Sequence, residues 1–267
     1  MNADKEYIDL LAELDLGENW APRCKRTLEI RGRQSRVNMQ EPVIWNPARK
    51  LNYKFMLSEA LWVLSGSNQL RFNQTIEKIW TPYSNDGVTL DGAYGPMVSG
   101  QLRYVIDTLH EDPSSRQAVI SIWRPNPRKS KDVPCTLTLQ FLIRWPSIHC
   151  IASMRSSDAW LGWPYDVFVF SMIANYIAIA YNQDLEPDIK IDLGMLTLTA
   201  GSQHIYEEHF DLARTLPRYN GEVCGISTHD FNTPDDLMNQ LRCAIDGPIA
   251  QISSPLLVKL NGLANKK

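Results

Sequence analysis

The sequence predicts one α+β domain spanning residues 1–267. Helical and strand-like patterns interleave without a regular β-α-β period. No internal repeat occurs, and no Gly- or Ser-rich linker divides the chain. The composition, 44% hydrophobic and 21% charged, is that of a globular chain long enough to bury a sizeable core.

In residues 4–15, Leu and Ile recur at helical spacing and predict an amphipathic helix. Residues 27–39 alternate loosely and predict a strand pair turning at Arg31-Gly32-Arg33-Gln34. From Phe55 to Leu64, Leu57, Leu61 and Leu64 share one helical face, and Gly66 stops the helix. Asn85-Asp86-Gly87 is a turn signal. Gln101 to His110 reads as a helix halted before Pro113. Residues 124–132, with their prolines and basic side chains, read as an exposed loop. β-Branched and aromatic residues predict strands at 118–123, 137–144 and 149–154. Pro164 suits the first turn of a buried apolar helix running to Tyr181. A strand at 197–199 and helices at 204–215 and 235–245 complete the expected order.

The net charge of −3 advertises no polyanion-binding face, so a nucleic-acid polymer is not an expected partner. A single nucleotide needs only a local cationic pocket. Five cysteines (Cys24, Cys135, Cys150, Cys224, Cys243) without a Cys-x-x-Cys pair argue against a disulfide framework or zinc site. His110, His149, His209 and His229 show no metal-ligand spacing, so no metal is expected. The N-terminus is polar and acidic, unlike a secretory signal. The most apolar stretch, 167–181, is too short to span a bilayer comfortably and contains Asn175, so no membrane partner is expected. A reducing cytoplasm fits best, where Cys135 stays a free thiol.

Two segments carry the chemistry. The first is Pro134-Cys135-Thr136-Leu137-Thr138-Leu139-Gln140-Phe141. The second is Arg155-Ser156-Ser157-Asp158-Ala159-Trp160-Leu161-Gly162-Trp163-Pro164-Tyr165-Asp166. An isolated cysteine is commonly a small buried hydrophobe. Beside this arginine block, Cys135 reads as a nucleophile whose pKa the Arg155 field would lower. A guanidinium offers a fork of donors to phosphate, and a carboxylate can read a base edge.

These segments resemble the thymidylate synthase family, including its pyrimidine hydroxymethylase branch, over about residues 27–210. The first is similar to the family's Pro-Cys-x-x-x-x-Gln-Phe. The second is similar to Arg-Ser-x-Asp-x-x-Leu-Gly-x-Pro-Phe-Asn, with Tyr165 for Phe and Asp166 for Asn. Ser58-Glu59-Ala60-Leu61-Trp62-Val63-Leu64-Ser65-Gly66 resembles His-Glu-Leu-Leu-Trp-Phe-Leu-x-Gly. Ile79-Trp80 and Ala93-Tyr94-Gly95 fit the folate-side segments, and His204-Ile205-Tyr206 resembles a His-x-Tyr pattern. Ser115-Arg116 resembles a Ser-Arg-Arg loop whose second arginine is here Gln117. The loop holding Arg23 matches its family counterpart only loosely.

The resemblance implies a mixed β-sheet covered by helices and a homodimer formed through the sheet. The active sites would be shared, with Arg116 serving the partner subunit's site. It implies Cys135, Glu59, Tyr94 and Asp166 as catalytic residues. Arg23, Arg116 and Arg155 would bind phosphate, and Ser156, His204 and Tyr206 the remainder of a nucleotide. Ile79, Trp80, Tyr83, Asp158, Leu161, Gly162 and Tyr165 would wall the site of 5,10-methylenetetrahydrofolate. The Cys135 thiolate would add to C6 of the pyrimidine and make C5 nucleophilic.

Asp166 is the departure that bears on substrate. An ionised carboxylate only accepts hydrogen bonds and has no proton for O4 of uracil. Once Cys135 adds to cytosine, N3 becomes basic, and an ionised Asp166 would accept from N4–H and N3–H together. The expected substrate is therefore dCMP. Thr136 after the cysteine, Tyr83 in place of a second tryptophan, and a C-terminus (261–267) unlike an apolar closing tail lean toward a wetter site and a 5-hydroxymethyl product. The modified nucleotide would serve phage DNA or a nucleoside natural product. A dCMP 5-methyltransferase, a CMP 5-hydroxymethylase, and an idle nucleotide- or RNA-binding relative are the rival readings.

Overall fold

The computed structural model describes residues 1–126 and 129–265. A six-stranded sheet runs in the order β1-β2-β6-β5-β4-β3. Its strands are β1 (Glu18–Trp20), β2 (Thr27–Asn38), β3 (Val119–Ser121), β4 (Thr136–Arg144), β5 (Ser147–Asp158) and β6 (Asp192–Tyr206). Every pairing is antiparallel except β5–β6. A parallel neighbour needs a crossover, and α5 (Trp163–Tyr181) supplies it. The other helices are α1 (Ala3–Leu14), α2 (Tyr53–Leu64), α3 (Gln74–Trp80), α4 (Gly95–Glu111), α6 (Phe210–Arg214), α7 (Pro234–Asp246) and α8 (Pro255–Ala264). The architecture is the mixed-sheet α+β fold that the sequence predicts.

Strand alternation sorts the sheet into two unlike faces. Leu139, Phe141 and Ile143 of β4, Cys150, Ala152 and Met154 of β5, and Leu196, Leu198 and Ala200 of β6 are buried. They form one core with the helices. Their alternates (Thr138, Gln140, Leu142, Ile151, Ser153, Thr197, Thr199) are only half-buried, and Gln34 and Arg36 of β2 are exposed. Helix α5 is apolar on all sides because α2, α4, α7 and the sheet surround it. With the turn that follows, α5 is long and apolar enough to cross a membrane, yet 78% of that window is buried inside the fold.

Four expectations are corrected. Residues 27–39 form one continuous strand rather than a hairpin. Gly32 adopts φ +68° between the Arg31↔Ser202 and Arg33↔Ala200 pairs, so it bends the ladder without ending it. The expected strand at 197–199 extends over the whole of β6, and the expected helix at 204–215 shrinks to α6, because 204–206 pair with β2. Helix α4 begins at Gly95, six residues before the expected start, with Pro96 in its first turn. Residues 124–126 and 129 of the expected loop are exposed, while 127 and 128 lie outside the described residues.

One polar cluster sits inside the core. Arg33 donates to Glu6 at 2.5 Å and also to Ser35 Oγ, which accepts from Trp163 Nε1 at 3.0 Å. Trp163 stacks on Tyr7 with ring centroids 5.4 Å apart. The cluster therefore ties α1 and β2 to the start of α5. Glu13 also accepts from Arg33, from Nε at 3.3 Å and Nη2 at 3.0 Å, so losing Glu6 leaves the guanidinium half-paired. Glu6→Ala is expected to lower unfolding stability by about 2 kcal/mol, measured by urea denaturation.

Candidate functional site

Cys135 stands immediately before β4, in a strand end that does not pair regularly. The β4–β5 register shifts between Thr136 and Thr138. The freed Leu137 carbonyl accepts from Ile122 N (2.9 Å) and Trp123 N (3.0 Å). Such irregularities re-aim side chains beside functional sites. Across from it, Arg155 of β5 donates from Nε to the Pro134 carbonyl (3.0 Å) and from Nη2 to the Val133 carbonyl (2.9 Å). The Cys135 carbonyl accepts from Arg155 N at 2.9 Å. Arg155 is thus both a brace for the cysteine segment and a cation beside it.

Burial raises the Cys135 pKa more strongly than Arg155 lowers it, although Arg155 acts in the expected direction. Asp166 and Asp132 raise it further, and Arg23 lowers it more weakly. Asp166 lies in the first turn of α5 with Oδ2 close against Gly162. Burial first, and Asp158 second, push its pKa up to about 7. The protonated form of this carboxyl, which sequence alone does not reveal, is thereby favoured over a wider pH range than for a free aspartate. Glu59 of α2 is raised well above the usual carboxylate range by burial and by Asp166. Tyr94, just before α4, is raised by burial, Asp166 and Cys135. Its hydroxyl meets Thr136 N at 3.3 Å and Thr136 Oγ1 at 3.0 Å. Cys135, Glu59 and Tyr94 thus each feel the Asp166 charge, and the four half-buried groups form one electrostatic cluster.

The nucleotide-side candidates are more dispersed. Ser156 pairs with Ser202 and Asp158 with His204 across the parallel strands, which sets the second motif beside the His-x-Tyr end of β6. His204 is buried and meets Tyr206 edge-on at 5.2 Å. Arg23 is exposed in a loop where Arg23 and Cys24 adopt φ +53° and +62°, a conformation disfavoured for non-glycine residues. Its charge still reaches Cys135. Arg116 is exposed before β3, with its carbonyl accepting from Gln140 Nε2 (2.8 Å). It is not among the main charges acting on this chain's Cys135.

The expected folate wall forms a second apolar cluster beside the main core. Ile79, Trp80 and Tyr165 pack against Phe55, Trp62, Leu70, Ile76, Leu90 and Ala93. Tyr165 meets Phe55 edge-on at 5.0 Å and Trp80 meets Tyr83 at 5.7 Å. Tyr83 and Leu161 remain 50% and 55% exposed, and the buried Trp80 Nε1 has no partner. Open apolar rings beside an unmatched donor fit a flat heterocycle with polar edges, so this set suits a folate. Asp158 is committed to its own turn: Oδ1 accepts from Trp160 N (2.8 Å) and Leu161 N (3.0 Å). Its role toward folate rests on the resemblance alone. Among the described residues, no three His, Cys, Asp or Glu side chains are grouped to hold a metal.

Sequence reasoning missed Arg49. It is buried, its guanidinium lies 3.9 Å from the Trp160 ring centroid, and it donates to Tyr7 Oη (2.9 Å) and to the Trp160 carbonyl. It therefore holds the 158–166 segment from below. Nothing in the run Ala48-Arg49-Lys50 signals this, because both partners are distant in sequence.

A sequence profile described as Thymidylate synthase matches residues 5–238. The chain therefore belongs to the thymidylate synthase family, over a wider span than its motifs alone cover. Membership makes it a one-carbon transferase, with methylenetetrahydrofolate as the family's co-substrate. Two curated relatives, both named thymidylate synthase, come from Francisella tularensis subsp. holarctica, strains FTNF002-00 / FTA and OSU18. Each is 27% identical over 237 residues, covering 78% of this chain and 81% of the relative.

The raised Asp166 pKa has a stability consequence. Between about pH 4 and 7 the folded chain retains a proton that the unfolded chain has lost, so this contribution is present below pH 4 and lost as pH rises through 7. Asp166→Asn lacks the titration. Its stability relative to wild type is expected to grow by on the order of 3 kcal/mol between pH 4 and 8, read by denaturant melts at both pH values.

Proposed function

We propose that the protein transfers a one-carbon unit to C5 of dCMP and hydrates the product to 5-hydroxymethyl-dCMP. The carrying observation is Asp166 itself, a carboxyl titrating near neutrality in the same cluster as Cys135, Glu59 and Tyr94. In its protonated form Asp166 donates to the N3 acceptor of neutral cytosine and accepts from N4–H. As Cys135 adds to C6, N3 takes that proton. The resulting carboxylate then accepts from both N–H groups, a pairing stronger in the adduct than in the ground state. A protonated carboxyl also pairs with O4 and N3–H of uracil, so selection falls on the chemical step. The nitrogen that gathers charge in the cytosine adduct is a stronger base than uracil O4, and it draws the Asp166 proton further.

Bound methylenetetrahydrofolate would supply the carbon and, in a methylating enzyme, also the hydride. Ile79, Trp80, Tyr83, Leu161, Gly162 and Tyr165 would hold it. Glu59, favoured in its neutral form, exchanges protons with water at the base, and Tyr94 relays the C5 proton. Arg155, with Arg23, would receive the phosphate, and His204 and Tyr206 the sugar. The half-exposed Tyr83 gives water a way in along that wall, which favours the hydroxymethyl product. Asn261 to Ala264 belong to α8, while 266 and 267 lie outside the described residues. The uncovered sheet face, with Gln34, Arg36, Thr138, Gln140 and Ile151, suits a homodimer that would carry Arg116 into the partner's site. The free cysteines suit a reducing cytoplasm.

Incubation with dCMP, dUMP or CMP plus methylenetetrahydrofolate, followed by mass spectrometry, tests the reading. A gain of about one CH₂O on dCMP is expected. Formation of dihydrofolate would mark a methyltransferase instead, and turnover of dUMP alone would remove the role given to Asp166. Asp166→Asn, which restores a fixed donor and acceptor for uracil, is expected to shift the dUMP/dCMP ratio of kcat/KM by at least about 100-fold. Cys135→Ala should bind nucleotide but lose C5–H exchange. A wild type that binds yet never exchanges would favour the idle relative.

A further inference from the structure

The chain just before Cys135 is fastened to the segment that carries Tyr94 by side chains outside the family motifs. Asn85 donates to Ser130 Oγ (2.7 Å) and Asp91 (2.6 Å), and accepts from Lys131 N (3.3 Å). Lys131 Nζ donates to the Ser84 carbonyl at 3.0 Å. Ser130 Oγ in turn accepts from Asp132 N at 3.2 Å. Asp132 then reaches back across the gap. Its carboxylate lies so close over Gly92 that a Cβ there would overlap it. Only glycine permits this approach.

Gly92 stands two residues before Tyr94, whose hydroxyl is bonded to Thr136. Cys135 is therefore held between two ties to one segment, Asp132 on one side and Thr136 on the other. Arg155 grips the Val133 and Pro134 carbonyls from the opposite flank. We propose that Asp132 is a positioning residue: its carboxylate, seated against Gly92, fixes Cys135 relative to Tyr94 for the reaction. The inference rests on the reading of Cys135 as nucleophile and Tyr94 as proton relay. An unlatched segment would let the thiol drift by about 1 Å, which is enough to slow a positioned reaction by up to about 100-fold without loss of substrate binding.

The same carboxylate also acts on the thiol by charge. Asp132 faces Asp91 and Arg155, while Cys135 faces Arg155, Arg23, Asp166, Asp132 and Tyr94. Removing the Asp132 charge should make the thiol more acidic.

Asp132→Asn and Asp132→Ala in the full chain test this, using whichever nucleotide the wild type turns over. Asp132→Ala should lower kcat by about 10- to 100-fold with KM within about 3-fold and the melting temperature within a few degrees. Asp132→Asn keeps the same shape against Gly92 and should retain kcat within about 3-fold. The pH midpoint of iodoacetamide labelling at Cys135 should fall in Asp132→Asn. Wild-type kcat in Asp132→Ala, equal damage in both variants with a lowered melting temperature, or an unmoved labelling midpoint would each overturn the proposal. Cys135→Ser separates the two levels. Turnover by that variant removes the nucleophile reading, whereas an inactive Cys135→Ser beside a fully active Asp132→Ala removes only the latch.

Discussion

Packing opposes charge on one cluster of four side chains, and the chemistry open to the molecule follows from that. Cys135, Glu59, Tyr94 and Asp166 would each be more easily charged in solvent, and burial is the largest influence on all four. Neutral forms are favoured until a substrate brings compensating groups. A neutral Asp166 can give a proton, and a neutral Glu59 can exchange one. For the Cys135 thiol, the Arg155 guanidinium beside it is the main influence opposing burial. A cluster poised in this way holds its acid–base capacity for the step in which charge develops.

The scaffold earns that cluster through a few contacts made far apart in sequence. The parallel β5–β6 pair places Asp158 beside His204. The α5 crossover returns the chain so that Asp166 opens a helix directly after β5. Arg49 clamps the intervening segment from below, and the Arg33–Glu6–Ser35–Trp163 cluster anchors the start of α5 to β2 and α1. The bulge after Cys135 and the Asp132–Gly92 contact set the remaining wall. The aromatics around Trp80 form a second cluster, joined to the main core through Phe72 and Tyr165.

Much of this was legible in the chain alone. Helices α1, α2, α5 and α7 and strands β4 and β5 follow from spacing, because each buries one face or a whole surface in the core. The order of the Cys135, Arg155–Asp166, Glu59 and His204 motifs was enough to place the family. Strand β2 was misread at Gly32, where a turn signal is absorbed by pairing with β6. Most of β6 was missed because its Gly201 and alternating polar residues look like loop until β2 and β5 flank them.

The sequence by itself determined the family, the mixed α+β architecture and the identities of the chemical groups, because those depend on residue type and order. Only the tertiary structure decided their ionisation states and their bracing. Whether Asp166 is a carboxylate or a carboxylic acid depends on how much water and how many charges surround it. Whether Arg49 and Asp132 matter depends on which distant backbone groups they meet. Both are properties of three-dimensional neighbourhood, and no local pattern of residues encodes them.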